Sequence, residues 1–273
     1  MNEQAAVRIV VCAKEVLDPD AVNNYAIEGR LVIGEDGKTL TQTTIPRLMN
    51  AYDEQAIEVA LRLRDGGTAC TIVVVSVGAD PTELLKHAAA LGADEIVHIP
   101  VDTATTDYHA AARLLAAYVR TSGGAHLVLC GRQASDDDQG VVPALVGELL
   151  AIPVVTIARA VELPSPSVVR VTRVTPDGDE VVEAACPAVV TLSNEVGAPR
   201  YPTMAGRMAA RRKRPTVVSP EALGVSAADL APKVILTRQF VPAVHGNCEF
   251  IEGDTAAEKA GRLIARLRQD SVI

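Results

Sequence analysis

The run Gly131-Arg132-Gln133-Ala134-Ser135-Asp136-Asp137-Asp138-Gln139-Gly140 gathers amides, a hydroxyl, a guanidinium and three consecutive carboxylates between two apolar stretches. It follows Ala125–Cys130, a buried-strand pattern, and precedes Val142–Leu150, an apolar stretch of helical spacing. The loop after a buried parallel strand is where open sheets bind ligands, and a phosphate is favoured at the N-terminus of the helix that follows. Three aspartates repel phosphate. They suit either caps on the coming helix or acceptors for ribose hydroxyls and an adenine amino group, and spacing alone leaves both open.

Three other segments end apolar runs in the same way. Cys12-Ala13-Lys14 closes one, and Ser76-Val77-Gly78 closes another with a glycine that lets a ligand approach backbone. Asn50 precedes the helix Ala51–Arg64 and is a candidate N-cap, with Asp53 and Glu54 in the first turn; capping alone accounts for it. Together the four segments occupy one sheet edge, the geometry of a nucleotide crevice. No catalytic set accompanies them: His87, His98 and His126 stand apart and are expected on helix or strand surfaces. Neither a P-loop nor GxGxxG is present, which removes Walker-type and standard dinucleotide readings. The five cysteines are scattered without a CxxC, so neither zinc nor disulfides are expected, and Cys12, Cys70 and Cys130 read as small buried apolar groups.

The elements that hold these segments alternate. Val7–Ala13, Cys70–Val77, Asp94–Ile99, Ala125–Cys130 and Pro153–Ile157 read as strands, with helices over Asn50–Arg64, Pro81–Leu91, Tyr108–Arg120 and Val142–Leu150. The expectation is an α/β fold with an open, mostly parallel sheet and right-handed crossovers. From Ala158 the pattern changes: Val168–Val174, Glu180–Ala185 and Ala188–Leu192 read as a β-rich antiparallel extension. Tyr201–Val218 is basic and flanked by proline, Ser219–Val244 is mixed, and Thr255–Leu267 is an amphipathic helix. The C-terminal third has too little apolar content to close its own core, which points to a partner chain.

Composition narrows the class. The chain has 273 residues, a net charge of −8, no tryptophan and 3% aromatics; its mean hydropathy is +0.19 and its pI about 5.2. This balance excludes a wholly disordered chain, a broad nucleic-acid footprint and a base-stacking platform. No signal peptide or spanning stretch is evident, so a cytoplasmic location is expected.

Taken in order, VCAKEV, MNAYDEQAIEVALRL, AAALGADEIVHI, LVLCGRQASDDD, CPAVVTLSNEVGAPRYPTMAGRMAARRK and the closing helix resemble the β subunit of electron-transfer flavoproteins over nearly the whole chain. The resemblance implies a Rossmann-like fold of the adenine-nucleotide α-hydrolase type, paired with an α subunit that holds most of the working FAD. The β subunit of that family carries AMP, or a second FAD in electron-bifurcating members. Carried over by motif, the nucleotide contacts fall at Cys12, Asn50, Ala51, Tyr52, Asp53, Val77, and from Gly131 through Arg132, Gln133, Ala134, Ser135, Asp136, Asp137, Asp138, Gln139, Gly140 and Val141 to Val142.

The stretch Asn194–Met208 matches the family's recognition loop, making Pro199, Arg200, Tyr201, Met204 and Met208 the docking residues; Met204 stands where the family commonly has an anchoring leucine. Val141-Val142-Pro143 departs from the family's usual Gln-(Thr/Val)-Gly and removes one backbone donor, and Ser193–Ala198 departs from the common DLRLNE. Asp137 resembles the AMP-type pattern. The implied role is a non-catalytic carrier passing electrons from acyl-CoA or other flavin dehydrogenases to a quinone reductase or another acceptor. A stand-alone adenine-nucleotide-binding regulator and an adenine-nucleotide hydrolase are the rival classes. The expected organisation is 1–192 nucleotide-binding domain with its β-rich extension, 193–218 recognition loop and basic helix, and 219–273 arm and helix on the α subunit.

Overall fold

In the computed structural model, residues 7–41, 44–241 and 248–273 are described. The expected lack of a leader falls partly on residues 1–6, and the mixed stretch partly on 242–244, both outside the described residues. Two compact units result, one reaching Gln239 and the other running from Phe240 to Ile273.

The first unit is doubly wound. In chain order it contains β1 (Val7–Cys12), β2 (Glu15–Leu17), α1 (Pro19–Ile27), β3 (Arg47–Met49), α2 (Ala51–Asp65), β4 (Cys70–Gly78), α3 (Thr82–Leu91), β5 (Glu95–Pro100), α4 (Tyr108–Thr121), β6 (Leu127–Gly131) and α5 (Val142–Leu150). There follow β7 (Val154–Ser165), β8 (Val168–Thr175), β9 (Gly178–Ala185), β10 (Ala188–Leu192), α6 (Met204–Ala210) and β11 (Thr216–Val217). The large sheet has the order β11-β5-β4-β1-β6-β10-β7-β8-β9, parallel throughout except for the β7–β8 and β8–β9 pairs. β2 and β3 form a separate antiparallel pair.

The continuous apolar strands are explained by burial on both faces. Along β1, Val7, Ile9 and Val11 pack with Ile57, Ala60 and Leu61 of α2 in one core, while Val10 and Cys12 pack with Leu114 and Val146 of α4 and α5 in the other. Side chains alternate between faces along a strand, so each strand serves both layers. The chain moves from β1 to β4 and β5 on one side, then returns to place β6 on β1's other edge. That reversal opens a crevice outside the carboxyl ends of β1 and β6.

Four sequence expectations change. Ala188–Leu192 is not part of the antiparallel extension: it is a parallel strand between β6 and β7, buried along its whole length. Its five residues are apolar or threonine, the composition of a strand covered on both faces, and strand direction leaves no local mark. The strand expected to end at Ile157 runs on to Ser165 through an irregularity in register, with Ile157 at φ 59°. Basic Tyr201–Val218 holds a helix of only 7 residues, then a strand pairing with β5 at the sheet edge. Finally, β2, α1 and β3 occupy a region for which periodicity gave no elements.

The second unit contains α7 (Ala256–Gln269), whose N-terminus Thr255 caps by accepting from Glu258 N at 3.2 Å. No residue of α7 is buried, and Leu263 and Ile264 remain exposed.

Candidate functional site

The crevice is assembled from the end of β1, the start of α2 and the loop after β6. Asp53, one turn into α2, is buried, and both its carboxylate oxygens accept backbone N–H groups. Lys14 N donates to Oδ2 at 2.8 Å and Gly131 N to Oδ1 at 2.8 Å. A single side chain therefore stitches the ends of β1 and β6. Burial pushes its pKa up to about 6, against the opposing pull of the Lys14 and Gly131 amides and Asn50. Gly131 is required by this closeness: a Cβ there would lie 2.3 Å from Asp53 Oδ1 and 2.9 Å from Tyr52 Cβ.

Asn50 precedes α2 but makes no capping bond with its side chain. Its amide instead donates to Gln133 O at 2.9 Å, and its Oδ1 accepts from Ser135 N at 3.3 Å. The simpler capping account of Asn50 is thus replaced by a tether on the acidic loop. That loop turns back on itself: Asp138 N donates to Ala134 O at 2.8 Å, and Gln133 Nε2 to Asp138 Oδ1 at 2.8 Å. Its aspartates do not cap α5, which opens at Val141 without a side-chain cap and carries a proline in its first turn. Cys12 and Cys130 are register partners beneath the loop, both buried, and the Cys12 neighbour and burial push the Cys130 thiol well up.

Of the nucleotide-contact residues named from sequence, Asn50, Asp53, Gly131, Gln133 and Ser135 are joined by direct bonds, with Ala51 and Tyr52 on the same first turn of α2. Val77, half-buried, is the penultimate residue of β4, the strand beside β1. Arg132, Gln133, Gln139, Gly140 and Pro143 line a cavity of about 310 Å³ against the start of α5, with Thr156, Ile157 and Thr191 behind it. Lys14, placed by the sequence at the crevice edge but not among the nucleotide contacts, joins them: its ammonium donates to Asp136 Oδ1 at 2.7 Å and Asp137 Oδ2 at 3.1 Å. A separation of more than a hundred residues hides such a pair from any local pattern. Burial works against the Lys14 charge, but Asp136 and Asp137 outweigh it and hold the ammonium above its usual range.

The candidate docking segment is anchored on the same helix. Glu58 of α2, side chain 7% exposed, accepts from Arg200 Nε at 2.7 Å, Arg200 N at 3.1 Å and Arg62 Nε at 2.8 Å. Arg200 also reaches Asp65 at 2.8 Å, and Arg62 donates to Val196 O at 2.6 Å. Burial opposes ionisation of Glu58, yet the two guanidiniums prevail and hold its carboxyl below the ordinary range. Beyond Arg200, Tyr201 is 88% exposed and Met204 74%, with Met208 one turn on and also exposed. Thr203 caps α6, and Gly206 lets that helix lie against the Ala90 carbonyl of α3, which a Cβ would approach to 2.3 Å. Pro199, half-buried, leads into this segment.

His87 on α3 and His98 on β5 are half-buried, as is His126 just before β6, each with a partner: His87 with Glu54 at 2.6 Å, His98 with Gly78 O at 2.8 Å, and His126 accepting from Arg8 N at 3.0 Å. Cys70 is likewise half-buried rather than wholly enclosed.

The model of the electron transfer flavoprotein domain matches residues 38–223, a span that takes in α2, the acidic loop and the docking segment. The chain is 32% identical to the caffeyl-CoA reductase-Etf complex subunit CarD of Acetobacterium woodii, over 97% of this chain and 100% of that one. It is 33% identical to an electron transfer flavoprotein subunit beta of Syntrophomonas wolfei, over 86% of each. It is 31% identical to an acryloyl-CoA reductase electron transfer subunit gamma of Anaerotignum propionicum, over 97% and 100%. With a doubly wound sheet and a crevice at its reversal, the chain belongs to the electron transfer flavoprotein family.

Proposed function

We propose that this chain is the β-type half of a heterodimeric electron carrier. It takes electrons from a flavin dehydrogenase, acyl-CoA dehydrogenase being the first candidate, and passes them to a quinone reductase or another acceptor in the cytoplasm. The single observation that carries the reading is the family match across residues 38–223, which includes the α2 and acidic-loop walls of the crevice and the docking segment. The redox chemistry belongs to FAD held mainly by the α subunit; this chain seats and orients it rather than catalysing a reaction. The exposed apolar residues of α7 are the surface an α subunit would cover.

In the crevice we place an adenine nucleotide, either AMP or the adenylate end of a second FAD. Two features support the fit. α5 begins without a side-chain cap, leaving N–H groups for a phosphate, although Pro143 supplies none. The Ser76 hydroxyl, buried near the carboxyl end of β4, has no hydrogen-bond partner among the described residues. Asn50, Ala51, Tyr52, Asp53, Val77 and the loop Gly131–Val142 would form the walls, with Cys12 at the floor. One relative is named as a subunit of a caffeyl-CoA reductase-Etf complex and another as an electron transfer subunit of an acryloyl-CoA reductase, which favours a second reading in which this chain serves such a reductase.

Denaturing the purified complex and quantifying released flavin and AMP tests both readings. One FAD with one AMP supports the simple carrier, and two FAD without AMP support bifurcation. A preparation with no flavin and no second subunit would favour the stand-alone regulator and overturn the proposal.

A further inference from the structure

Lys14 meets every part of the crevice. Its N–H donates to Asp53 at 2.8 Å, its carbonyl accepts from Asn50 N at 2.9 Å, and its ammonium donates to Asp136 and Asp137 at 2.7 and 3.1 Å. One residue thus ties the end of β1, the start of α2 and the acidic loop. The charge balance around it is unfavourable to an anion. Asp53, Asp136, Asp137 and Asp138 lie on the segments forming the crevice, and Lys14 is the cation bonded to two of them. Arg132, the other cation on these segments, lines the cavity against α5. Its position leaves the offsetting of the Asp136 and Asp137 charge to Lys14.

Partial burial makes that offset effective. The Lys14 side chain is 43% exposed, and those of Asp136 and Asp137 are 35% and 44% exposed, so solvent screens the three groups only in part. Without the ammonium, two adjacent carboxylates would repel each other and any phosphate near them, and the loop would lose its link to β1. Asn50 would still hold Gln133 and Ser135, so the loop's base would remain in place.

We propose that Lys14 is the positioning residue that lets this crevice accept a phosphate-bearing ligand, by offsetting the carboxylate charge of Asp136 and Asp137. The proposal rests on the nucleotide reading above. It explains how a loop with three aspartates is compatible with a nucleotide: one ammonium engages two of the carboxylates and cancels one unit of their charge.

The test is calorimetric titration of the full-length protein, with the subunit it purifies with, using AMP and separately adenosine. Lys14→Met should weaken AMP binding by about tenfold or more while weakening adenosine by less than about threefold, because the repulsion acts on the phosphate. Lys14→Arg should hold AMP within about threefold of wild type. Removing the carboxylates from the Lys14→Met protein, with Asp136→Asn and Asp137→Asn, should restore AMP affinity, which a damaged fold would not do. The proposal is overturned if Lys14→Met binds AMP as wild type does, if adenosine suffers equally, or if the neutral loop fails to restore binding. A wild-type protein that binds neither ligand overturns the nucleotide reading itself, and this proposal with it.

Discussion

Asp53 is an acceptor placed where only an acceptor works. Two backbone N–H groups converge on it, and each carboxyl oxygen keeps a lone pair for its donor whether ionised or protonated, whereas an amide in its place turns an NH2 donor on one of them. Asp53→Asn should therefore destabilise the protein by about 1–3 kcal/mol, measurable by denaturant unfolding. The deficit should also depend on pH. The folded state holds the Asp53 proton up to about pH 6, against an ordinary value of 3.8, so it binds the extra proton within that window. The wild-type contribution is then largest at acid pH and is lost as pH rises through the window, whereas asparagine does not titrate. The gap between the two proteins should shrink from pH 4 to 6.5; a constant gap would refute the assignment. Gly131→Ala should have a related effect, separating Asp53 from β6 and lowering nucleotide retention in the purified complex. At this scale the sequence was legible for residue types but not for their partners. Asn50 looks the same whether it caps its own helix or holds a loop 83 residues away. Lys14 carries no local mark of the two aspartates that define it.

Among the elements, α2 does more than cover the sheet. Its hydrophobic face was legible from spacing, because Ala56, Ile57, Ala60 and Leu61 repeat at the helical period and are all buried. Its polar face was not, because Glu58 is set among apolar neighbours and finds Arg200 only after the chain has completed the sheet. The Glu58 carboxyl is held below its usual range, so its bond to Arg200 strengthens the fold at neutral pH. That contribution is lost only as pH falls through the lowered value. Arg200→Met should free residues 196–200, seen as faster amide hydrogen exchange there, and cost about 3 kcal/mol because a buried carboxylate loses its main partner. Unchanged exchange would show that the segment is held by other contacts. β10 is the counter-example: its burial was readable from five residues, its direction was not, since parallel and antiparallel strands share one composition when both faces are covered.

For the whole molecule, the formal charge of −8 conceals a local excess of the opposite sign. Arg207, Arg211, Arg212 and Arg214 are exposed around α6, while Lys213 is turned inward, donating to the Ala93 carbonyl at 2.8 Å. Exposed methionines and arginines side by side suit a partner that offers an apolar pocket within an acidic rim. Met204→Asp should slow reduction by the partner dehydrogenase by about tenfold or more and leave the flavin content of the complex unchanged. Stopped-flow rates equal to wild type would remove Met204 from the docking surface. Charge reversal at Arg211 and Arg212 should flatten the salt dependence of the same rate, since steering by exposed charges is screened within about 8 Å at physiological ionic strength.

The two ends of α2 have a geometrical meaning for an electron carrier. Asp53 secures the crevice near one end and Asp65 takes part in holding Arg200 at the other. A helix rises about 1.5 Å per residue, so the interval is a rigid spacer of about 18 Å. Whatever docks at the methionines meets the crevice at a distance this spacer fixes. Inserting one residue after Ile57 would turn the far half of α2 by about 100° and carry Glu58 off the face that Arg200 reaches. The length of a single helix therefore sets the separation between the crevice and the segment that carries the methionines.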